Sequence, residues 1–354
     1  MKLFLSGDVM TGRGVDQILR SPCDPAIDEP WMKSALDYVL LAERSSGTIP
    51  RGVAPEYIWG DALAELERER PDARIVNLET AVTRSDARAA KGINYRMSPE
   101  NAACLAAAKI DCCVLANNHV LDWGRPGLVE TLDTLHALGM RTAGAGLDAA
   151  SAAVPARLAG NLLVFAYGLD SAGVPEDWAA GPASPGVSWL PDLSRQTADA
   201  LVDRILPLKR PGEISVVSVH WGPNWGYQVS HRQRSFARRL IDAGAADLVH
   251  GHSSHHPLAI ERYRERLILY GCGDLLNDYE GISGHEEFRP QLGLMYFPTL
   301  AADGKLAALS LTPVCVHCFR LERASEEDAA WLAMVLARES GLPIERTAEG
   351  LRLA

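Results

Sequence analysis

The stretch Asp247-Leu248-Val249-His250-Gly251-His252-Ser253-Ser254-His255-His256 carries the strongest signal in the sequence. Four histidines lie within its last seven residues, directly after an apolar run typical of a buried strand. Packing alone is a poor explanation for so many imidazoles on one loop. Neutral imidazole is a common metal ligand, so this stretch predicts half of a metal site beyond the end of a strand.

Outward from this loop, residues with ligand side chains follow four other apolar runs. They are Asp8 after Phe4–Gly7, Glu79 after Ile75–Leu78, Asn117-Asn118-His119 after Val114–Ala116, and His220 after Val216–Val219. Polar residues at five strand ends are typical of a site assembled at one edge of a sheet. Oxygen and nitrogen ligands without a thiolate favour one or two divalent ions, and manganese, zinc, iron, calcium and magnesium all remain open.

Short apolar runs rich in Val, Ile and Leu predict strands that are buried on both faces. They are Leu3–Ser6, Arg74–Asn77, Cys113–Ala116, Leu162–Tyr167, Ile214–Val219, Arg266–Tyr270 and Leu294–Phe297. Helices are predicted between and after them, at Gly127–Leu138, Gln233–Ala243 and Ala324–Arg338. This alternation indicates an α/β fold. We expect a single domain over residues 1–354. It has excursions at about 22–55 and 168–211, and the second either walls a pocket or is a long surface connection.

The composition of the chain excludes several classes of protein. Its 354 residues are 47% hydrophobic and 23% charged, with a formal net charge of −10. Because the balance is acidic and the basic residues are scattered, a nucleic-acid partner is excluded. No apolar run approaches the roughly 20 residues of a membrane span. The first residues do not have the pattern of a signal peptide, so we expect a cytoplasmic location.

Further residues are candidates for catalysis and substrate binding. Asp8 is a metal ligand or a general base, and His285 is either an acid/base group on a mobile loop or a surface histidine. Aromatic residues after His220 are candidates for contacts with an apolar or peptide substrate; they are Trp221, Trp225 and Tyr227. Arginines that would clamp a carboxylate, unless they are ordinary surface residues, are Arg13, Arg96 and Arg289.

Taken together, these motifs resemble the capsule-synthesis CapA family of poly-γ-glutamate biosynthesis proteins, a branch of the calcineurin-like metallophosphoesterase fold. The similar stretches run from residue 7 to about 280. They are Gly7-Asp8-Val9-Met10, Asn77-Leu78-Glu79-Thr80, Ala116–His119 with Asp122-Trp123-Gly124, His220-Trp221-Gly222, Gly251–Pro257 and Leu269–Asp274.

The resemblance implies a four-layer α/β/β/α sandwich with a metal centre at the strand ends. By position, it implies a role for each matching residue: Asp8 as the first metal ligand, Glu79 in place of a bridging aspartate, Asn118 as a ligand, His119 as an acid beside the metal, and His220, His252 and His255 as the later ligands.

Two positions depart from the pattern of the superfamily. Met10 stands where an Asp-x-His motif has its histidine, and a thioether is a poor ligand for a hard ion. The final histidines, His252 and His255, are three residues apart instead of two. These departures predict a single ion or an altered ligand set, and they count against ordinary phosphoesterase activity.

The function predicted from the sequence is a metal-dependent enzyme that uses His/Asp acid–base chemistry on a peptide or poly-γ-glutamate-like chain. Peptide Cα epimerisation is the favoured reaction, because a branch of the family resembles lasso-peptide epimerases. It requires two opposed proton carriers, such as Asp8 with His285 or His119 with Asp122. The alternatives are a metal-dependent phosphoesterase or other hydrolase, and a non-catalytic protein that binds capsule polymer.

Overall fold

The structure is a computed structural model that describes residues 1–353. Its strands in chain order are β1 (Leu3–Val9), β2 (Ala73–Leu78), β3 (Ala81–Val82), β4 (Arg96–Met97), β5 (Cys112–Val114), β6 (Arg141–Ala143), β7 (Ala145–Gly146), β8 (Ala156–Leu158), β9 (Leu162–Leu169), β10 (Gly186–Val187), β11 (Trp189–Leu190), β12 (Ile214–His220), β13 (Leu248–His252), β14 (Ile260–Tyr263), β15 (Arg266–Leu269), β16 (Asp274–Leu276), β17 (Leu292–Leu300), β18 (Leu306–His317), β19 (Arg320–Arg323), β20 (Ile344–Thr347) and β21 (Gly350–Leu353). The α-helices are α1 (Gly14–Ile18), α2 (Ala35–Ser46), α3 (Ala62–Glu69), α4 (Ala103–Ala107), α5 (Gly124–Ala137), α6 (Ala149–Ala153), α7 (Arg195–Ile205), α8 (His231–Asp242) and α9 (Glu326–Ser340). Every apolar run predicted to be a strand overlaps one.

Two sheets form the centre of the molecule. The larger has ten strands in the order β20-β21-β18-β17-β1-β2-β5-β6, with β16 paired to β1 and β19 to β18. The smaller has seven strands in the order β11-β9-β12-β13-β15-β14, with β8 paired to β9. Neighbours run parallel from β1 through β2 and β5 to β6, and from β9 through β12 and β13 to β15.

The alternation of side chains along β9 shows how the layers stack. Leu162 and Val164 belong to the core shared with the larger sheet, whereas Leu163 and Phe165 belong to a second core with α7 and α8. Successive side chains of a strand point to opposite faces, so the smaller sheet lies between the larger sheet and these helices. Helices α3, α4 and α5 contribute leucines to the core of the larger sheet. The predicted four-layer α/β/β/α sandwich is confirmed.

The two predicted excursions contain more regular structure than the sequence indicated. Residues 22–55 include α2, whose first turn is closed by a capping box between Ser34 and Asp37. Residues 168–211 include α7, which buries Ala198, Leu201 and Ile205 in the second core. The prediction of a long surface connection at 168–211 was therefore wrong for α7, which is part of the outer helical layer.

Helix α9, with 15 residues, is the longest α-helix. Among residues 1–353, the structure contains no helix long and apolar enough to cross a lipid bilayer.

Candidate metal centre

The predicted ligands lie where strands of both sheets end. Asp8 is the second-to-last residue of β1, Glu79 directly follows β2, and Asn118 and His119 follow β5. In the smaller sheet, His220 is the last residue of β12 and His252 is the last residue of β13. Because parallel strands place their carboxyl ends at one edge, residues far apart in the sequence meet there.

Two local features of the backbone bring these strand ends together. A Cβ atom on Gly7 would lie 1.8 Å from the carbonyl oxygen of Gly273, so only glycine permits β1 to approach the segment before β16. Ser253 has a φ of 103°, a conformation that a residue with a side chain rarely adopts. This turn accounts for the three-residue spacing of His252 and His255, since it directs both side chains into the same buried region.

Two triads of side chains place their ligand atoms within 4.8 Å of one another. The His220 triad consists of Asp8, His220 and His252, and the His255 triad consists of Asp8, His255 and Asp274. All five side chains are buried. Asp8 belongs to both triads, and its Oδ2 atom is buried without a hydrogen-bond partner. Because a buried carboxylate oxygen without a partner is costly, this atom is the one best suited to bind a cation.

The other two predicted ligands border the His220 triad. Asn77 Nδ2 donates to Asp8 Oδ1 at 2.7 Å and to Glu79 Oε2 at 3.0 Å, so it fixes both carboxylates. Glu79 Oε2 lies 3.9 Å from His220 Nδ1, and Asn118 Oδ1 lies 3.1 Å from His220 Nε2. The structure thus brings all of the predicted ligands into one cluster.

Sequence reasoning missed Asp274, although it lies in one of the stretches that carry the resemblance. Its Oδ1 atom is 2.9 Å from His255 Nδ1. Burial lowers the pKa of His255, but the carboxylates of Asp274 and Asp8 together more than reverse this, so the pKa lies above its ordinary value. Met10 is a member of neither triad, and its Sδ atom accepts a hydrogen bond from the Tyr279 hydroxyl at 3.7 Å. A carboxylate from β16 therefore contributes to the centre, whereas the Met10 side chain does not. In the sequence, Gly271–Gly273 separate Asp274 from the preceding apolar run, so its place in the Leu269–Asp274 stretch was the one signal that could have identified it.

The electrostatics of the cluster favour a divalent cation. Burial, and then the neighbouring Asp274, raise the pKa of Asp8 to about 7. Burial and Asp8 hold the pKa of Glu79 well above its ordinary value. Burial also keeps the pKa values of His220 and His252 well below the ordinary value, which favours the neutral imidazoles that bind metals. Since a cation would offset the repulsion among three buried carboxylates, these residues fit a metal centre.

A histidine–aspartate pair adjoins the cluster. His119 Nδ1 lies 2.6 Å from Asp122 Oδ2, which also accepts from the backbone N–H of Tyr95 at 2.6 Å. Lys91 Nζ lies 2.8 Å from the other oxygen of Asp122. The free Nε2 of His119 is 3.9 Å from Glu79 Oε1 and so faces the cluster. Burial lowers the pKa of His119 to about 4, which leaves its imidazole neutral near pH 7.

Aromatic rings form the outer side of the His255 triad. The ring centroids of Trp225 and His255 are 5.1 Å apart. Trp225 also stacks on His285, with ring centroids 3.8 Å apart and an interplanar angle of 6°. His285 is therefore separated from the centre by an indole ring. Tyr227 lies further out, against His256. Trp225 is the predicted substrate-binding aromatic that lies nearest to the cluster.

Trp221 does not match its predicted role. It is 1% exposed in the second core, and its indole Nε1 donates to the carbonyl of Tyr270. Trp221 is therefore a packing residue that a substrate cannot reach.

The predicted arginine clamp does not form, because each arginine is paired within the protein. Arg13 is buried against Asp278 and Glu29. The other two pairs are Arg96 with Asp86 and Arg289 with Asp328. Each guanidinium also lies over an aromatic ring of the protein. The structure thus gives each arginine an acidic partner and an aromatic neighbour within the protein.

The layered fold and the buried cluster of histidines and carboxylates define a class of α/β protein with a candidate metal centre at its strand ends. Within this class, the chain belongs to the family described as "Bacterial capsule synthesis protein PGA_cap", which it matches over residues 2–279.

Individual relatives agree with this membership. The chain is 47% identical, over 96% of its length and 90% of theirs, to the probable polyglutamine synthesis accessory protein of two Mycobacterium tuberculosis strains. It is 28% identical to the PGA biosynthesis protein CapA of Bacillus subtilis, over 88% of this chain and 70% of that protein. A solved structure, a 5′-nucleotidase precursor from Thermus thermophilus, aligns with a TM-score of 0.47 and 13% identity over 96% of this chain and 58% of its own.

Proposed function

We propose that this chain is a metal-dependent enzyme that uses His–Asp acid–base chemistry to hydrolyse amide bonds in a peptide or polyglutamate-like chain. The observation that carries the proposal is the sharing of Asp8 by two ligand triads, with the His119–Asp122 pair beside them. Paired metal positions next to a proton carrier are a common arrangement for the attack of water on an unreactive bond.

The two triads have distinct roles in this proposal. The His220 triad, with Glu79 and Asn118 beside it, would hold one divalent ion, and the His255 triad would hold a second. Asp8 belongs to both triads and would therefore be a ligand of each ion. Such ions supply Lewis acidity, which polarises a carbonyl group and makes water a better nucleophile at neutral pH.

His119 moves the proton in this reaction. Its neutral imidazole takes a proton from the attacking water at Nε2, and Asp122 stabilises the resulting imidazolium through Nδ1. A bond forms between the water oxygen and the carbonyl carbon, and the C–N bond breaks. His119 then returns the proton to the leaving nitrogen, so that the products are a carboxylic acid and an amine, which become a carboxylate and an ammonium group by proton exchange.

Hydrolysis fits the geometry better than the epimerisation favoured from the sequence. Epimerisation requires two separate groups on opposite sides of one Cα. His119 and Asp122 are hydrogen-bonded to each other and so act as one unit. Asp8 is fully buried, and His285 lies behind the ring of Trp225.

The names of the relatives and the charge of the centre support the proposed substrate class. Relatives are named for polyglutamine or PGA synthesis, and a polyglutamate chain carries amide bonds and many carboxylates. The carboxylates of Asp8, Glu79 and Asp274 repel such a chain unless cations are bound. We therefore expect binding of a polyanionic substrate to require metal.

Isotope labelling distinguishes the candidate reactions. Metal-loaded protein is incubated with glutamate oligomers, γ-linked and α-linked, in water enriched in both ¹⁸O and deuterium, and the oligomers are then analysed by mass spectrometry. Hydrolysis places ¹⁸O in a new carboxylate and shortens the chain. Epimerisation places deuterium at one Cα and leaves the length unchanged.

Matched variants complete this experiment. His252→Ala removes a ligand of the His220 triad and should abolish turnover, whereas His136→Ala removes an exposed histidine and should leave turnover unchanged. Incorporation of deuterium without ¹⁸O would contradict hydrolysis and identify the reaction as epimerisation. Metal-dependent binding of oligomers with neither label would mean that the chain is a polymer-binding protein.

Phosphoester hydrolysis is a second candidate. The objection from the sequence was the loss of an imidazole at Met10, but Asp274 supplies a ligand atom in the same cluster. Turnover of an aryl phosphate that is lost in His252→Ala would support this activity. The absence of turnover with every divalent metal tested would count against it.

A further inference from the structure

We infer that Arg13 is a positioning residue that fixes two parts of the centre relative to each other. It fixes the segment that carries Asp274 on one side and supports the His119–Asp122 pair on the other. The inference rests on the proposed function, because the groups that Arg13 positions are a proposed ligand and the proposed proton carrier.

The guanidinium of Arg13 is fully engaged by two carboxylates. Its Nε donates to Asp278 Oδ2 at 2.8 Å and its Nη2 to Asp278 Oδ1 at 2.5 Å, a bidentate pair. Its Nη1 donates to Glu29 Oε1 at 3.1 Å. The Arg13 side chain is 2% exposed, so the pair is desolvated, and loss of either partner would leave a buried charge without compensation.

The backbone at Arg13 is strained. Its φ of 53° and ψ of −121° form a combination that residues with a side chain rarely adopt. Glycine would relieve this strain, and glycines stand on both sides, at Gly12 and Gly14. An arginine at this position therefore implies that its side-chain contacts offset the strain.

On one side, the contacts lead to the His255 triad. Asp278 also accepts a hydrogen bond from the backbone of Gly14 at 2.9 Å, which pins the turn that follows β16. Asn277, next to it, donates from Nδ2 to Asp274 Oδ2 at 2.9 Å. Because Asp274 Oδ1 is the atom that meets His255, the Arg13–Asp278 pair sets the orientation of this carboxylate through Asn277.

On the other side, the contacts lead to the proton carrier. The guanidinium carbon of Arg13 lies 3.6 Å from the centroid of Tyr38 and 4.5 Å from that of Tyr95. The Tyr95 ring meets the His119 ring edge-on at 4.5 Å, and the Tyr95 backbone N–H donates to Asp122. One buried cation thus adjoins both the ligand segment and the His–Asp pair.

The test measures binding of Co²⁺ to the full chain, by calorimetry and by the visible absorption of the bound ion. The variants are Arg13→Gln, Arg13→Lys and Asp278→Asn. Arg289→Gln serves as the control, because Arg289 also pairs with an aspartate but its side chain is 30% exposed to solvent. Circular dichroism confirms folding, and Arg13→Lys and Asp278→Asn keep the test usable if Arg13→Gln does not fold.

The wild type is expected to bind two equivalents. In Arg13→Gln and Asp278→Asn, one equivalent should weaken about 10- to 100-fold, as is typical when a residue that orients a ligand is removed, and its absorption band should shift. The affinity for the other equivalent should be unchanged. Arg13→Lys should have an affinity between those of Arg13→Gln and the wild type, and Arg289→Gln should match the wild type.

If every variant binds two equivalents with the affinity and spectrum of the wild type, the inference is overturned but the proposed function is not. Equal weakening of both equivalents without recovery in Arg13→Lys would also overturn it. A wild type that binds no ion would overturn the proposed function and the inference together.

Discussion

Replacing Asp8 by asparagine should stabilise the metal-free protein and at the same time abolish metal binding. Burial and Asp274 raise the pKa of Asp8 from 3.8 to about 7. At 1.36 kcal/mol per pH unit, a shift of this size corresponds to about 4 kcal/mol of stability lost when Asp8 ionises in the folded state. Asparagine removes this cost but places an N–H₂ group where the unpartnered oxygen lies, at a cost of about 1–3 kcal/mol. The expected net gain is about 1–3 kcal/mol at pH 8.

The raised pKa of Asp8 also determines how the stability of the metal-free protein changes with pH. A carboxyl group whose pKa is higher in the folded than in the unfolded protein binds more protons when folded, so stability falls as pH rises between the two values. The metal-free wild type should therefore lose stability between about pH 4 and pH 7. Asp8→Asn should show a smaller loss over the same range.

The assay is urea unfolding in the presence of a chelator at pH 5 and pH 8, repeated with saturating divalent metal. Asp133→Asn, which changes an exposed carboxylate on α5, is the control. Metal at 100 times its dissociation constant stabilises a folded protein by about 2.7 kcal/mol, and Asp8→Asn should lose this stabilisation. The reasoning is refuted if Asp8→Asn is less stable than the wild type in chelator at pH 8, or if metal still stabilises it fully.

Three further substitutions test the site and the fold. His252→Ala should reduce bound metal, measured by elemental mass spectrometry, by at least one equivalent, and unchanged content would exclude His252 as a ligand. Gly7→Ala should destabilise the protein by about 2 kcal/mol or more in thermal unfolding, because its Cβ would lie 1.8 Å from the Gly273 oxygen; wild-type stability would show that the two segments can separate. Leu201→Ala should cost about 2–5 kcal/mol in urea unfolding, since Leu201 is buried in the second core. Leu208→Ala, at a site 37% exposed, should cost far less, and equal losses would contradict the assigned packing.

Much of the fold and the ligand set could be predicted because their signals are local. A buried strand is an apolar run, and a ligand such as Glu79 or His220 directly follows one, so strand and ligand are recognised in the same stretch. The rule that parallel strands share a carboxyl edge then assembles residues that are far apart in the sequence. The cytoplasmic location and the single domain stay predictions.

What could not be predicted depends on partners far along the chain. Arg13 was predicted to bind substrate because its partner Asp278 is 265 residues away, and no local sequence pattern reveals such a pairing. Asp274 begins a strand of three residues, too short for a periodicity signal, and it reaches the centre only because β16 pairs with β1. Helix α7 has apolar residues at helical spacing, but the surrounding glycines, prolines and serines obscured them.

The distribution of the ligands over both sheets has a mechanical consequence. Asp8 belongs to the larger sheet, whereas His220 and His252 belong to the smaller one, so an ion bound in the His220 triad joins the two as a crosslink would. Without the ion this link is absent, and the two sheets are held together at this edge by fewer contacts, because Asp8, Glu79 and Asp274 all lie on the larger sheet and the histidines on the smaller one. Amide hydrogen exchange at the ends of β1, β12 and β13 should therefore slow when metal binds, while exchange at the opposite ends of the same strands stays nearly constant.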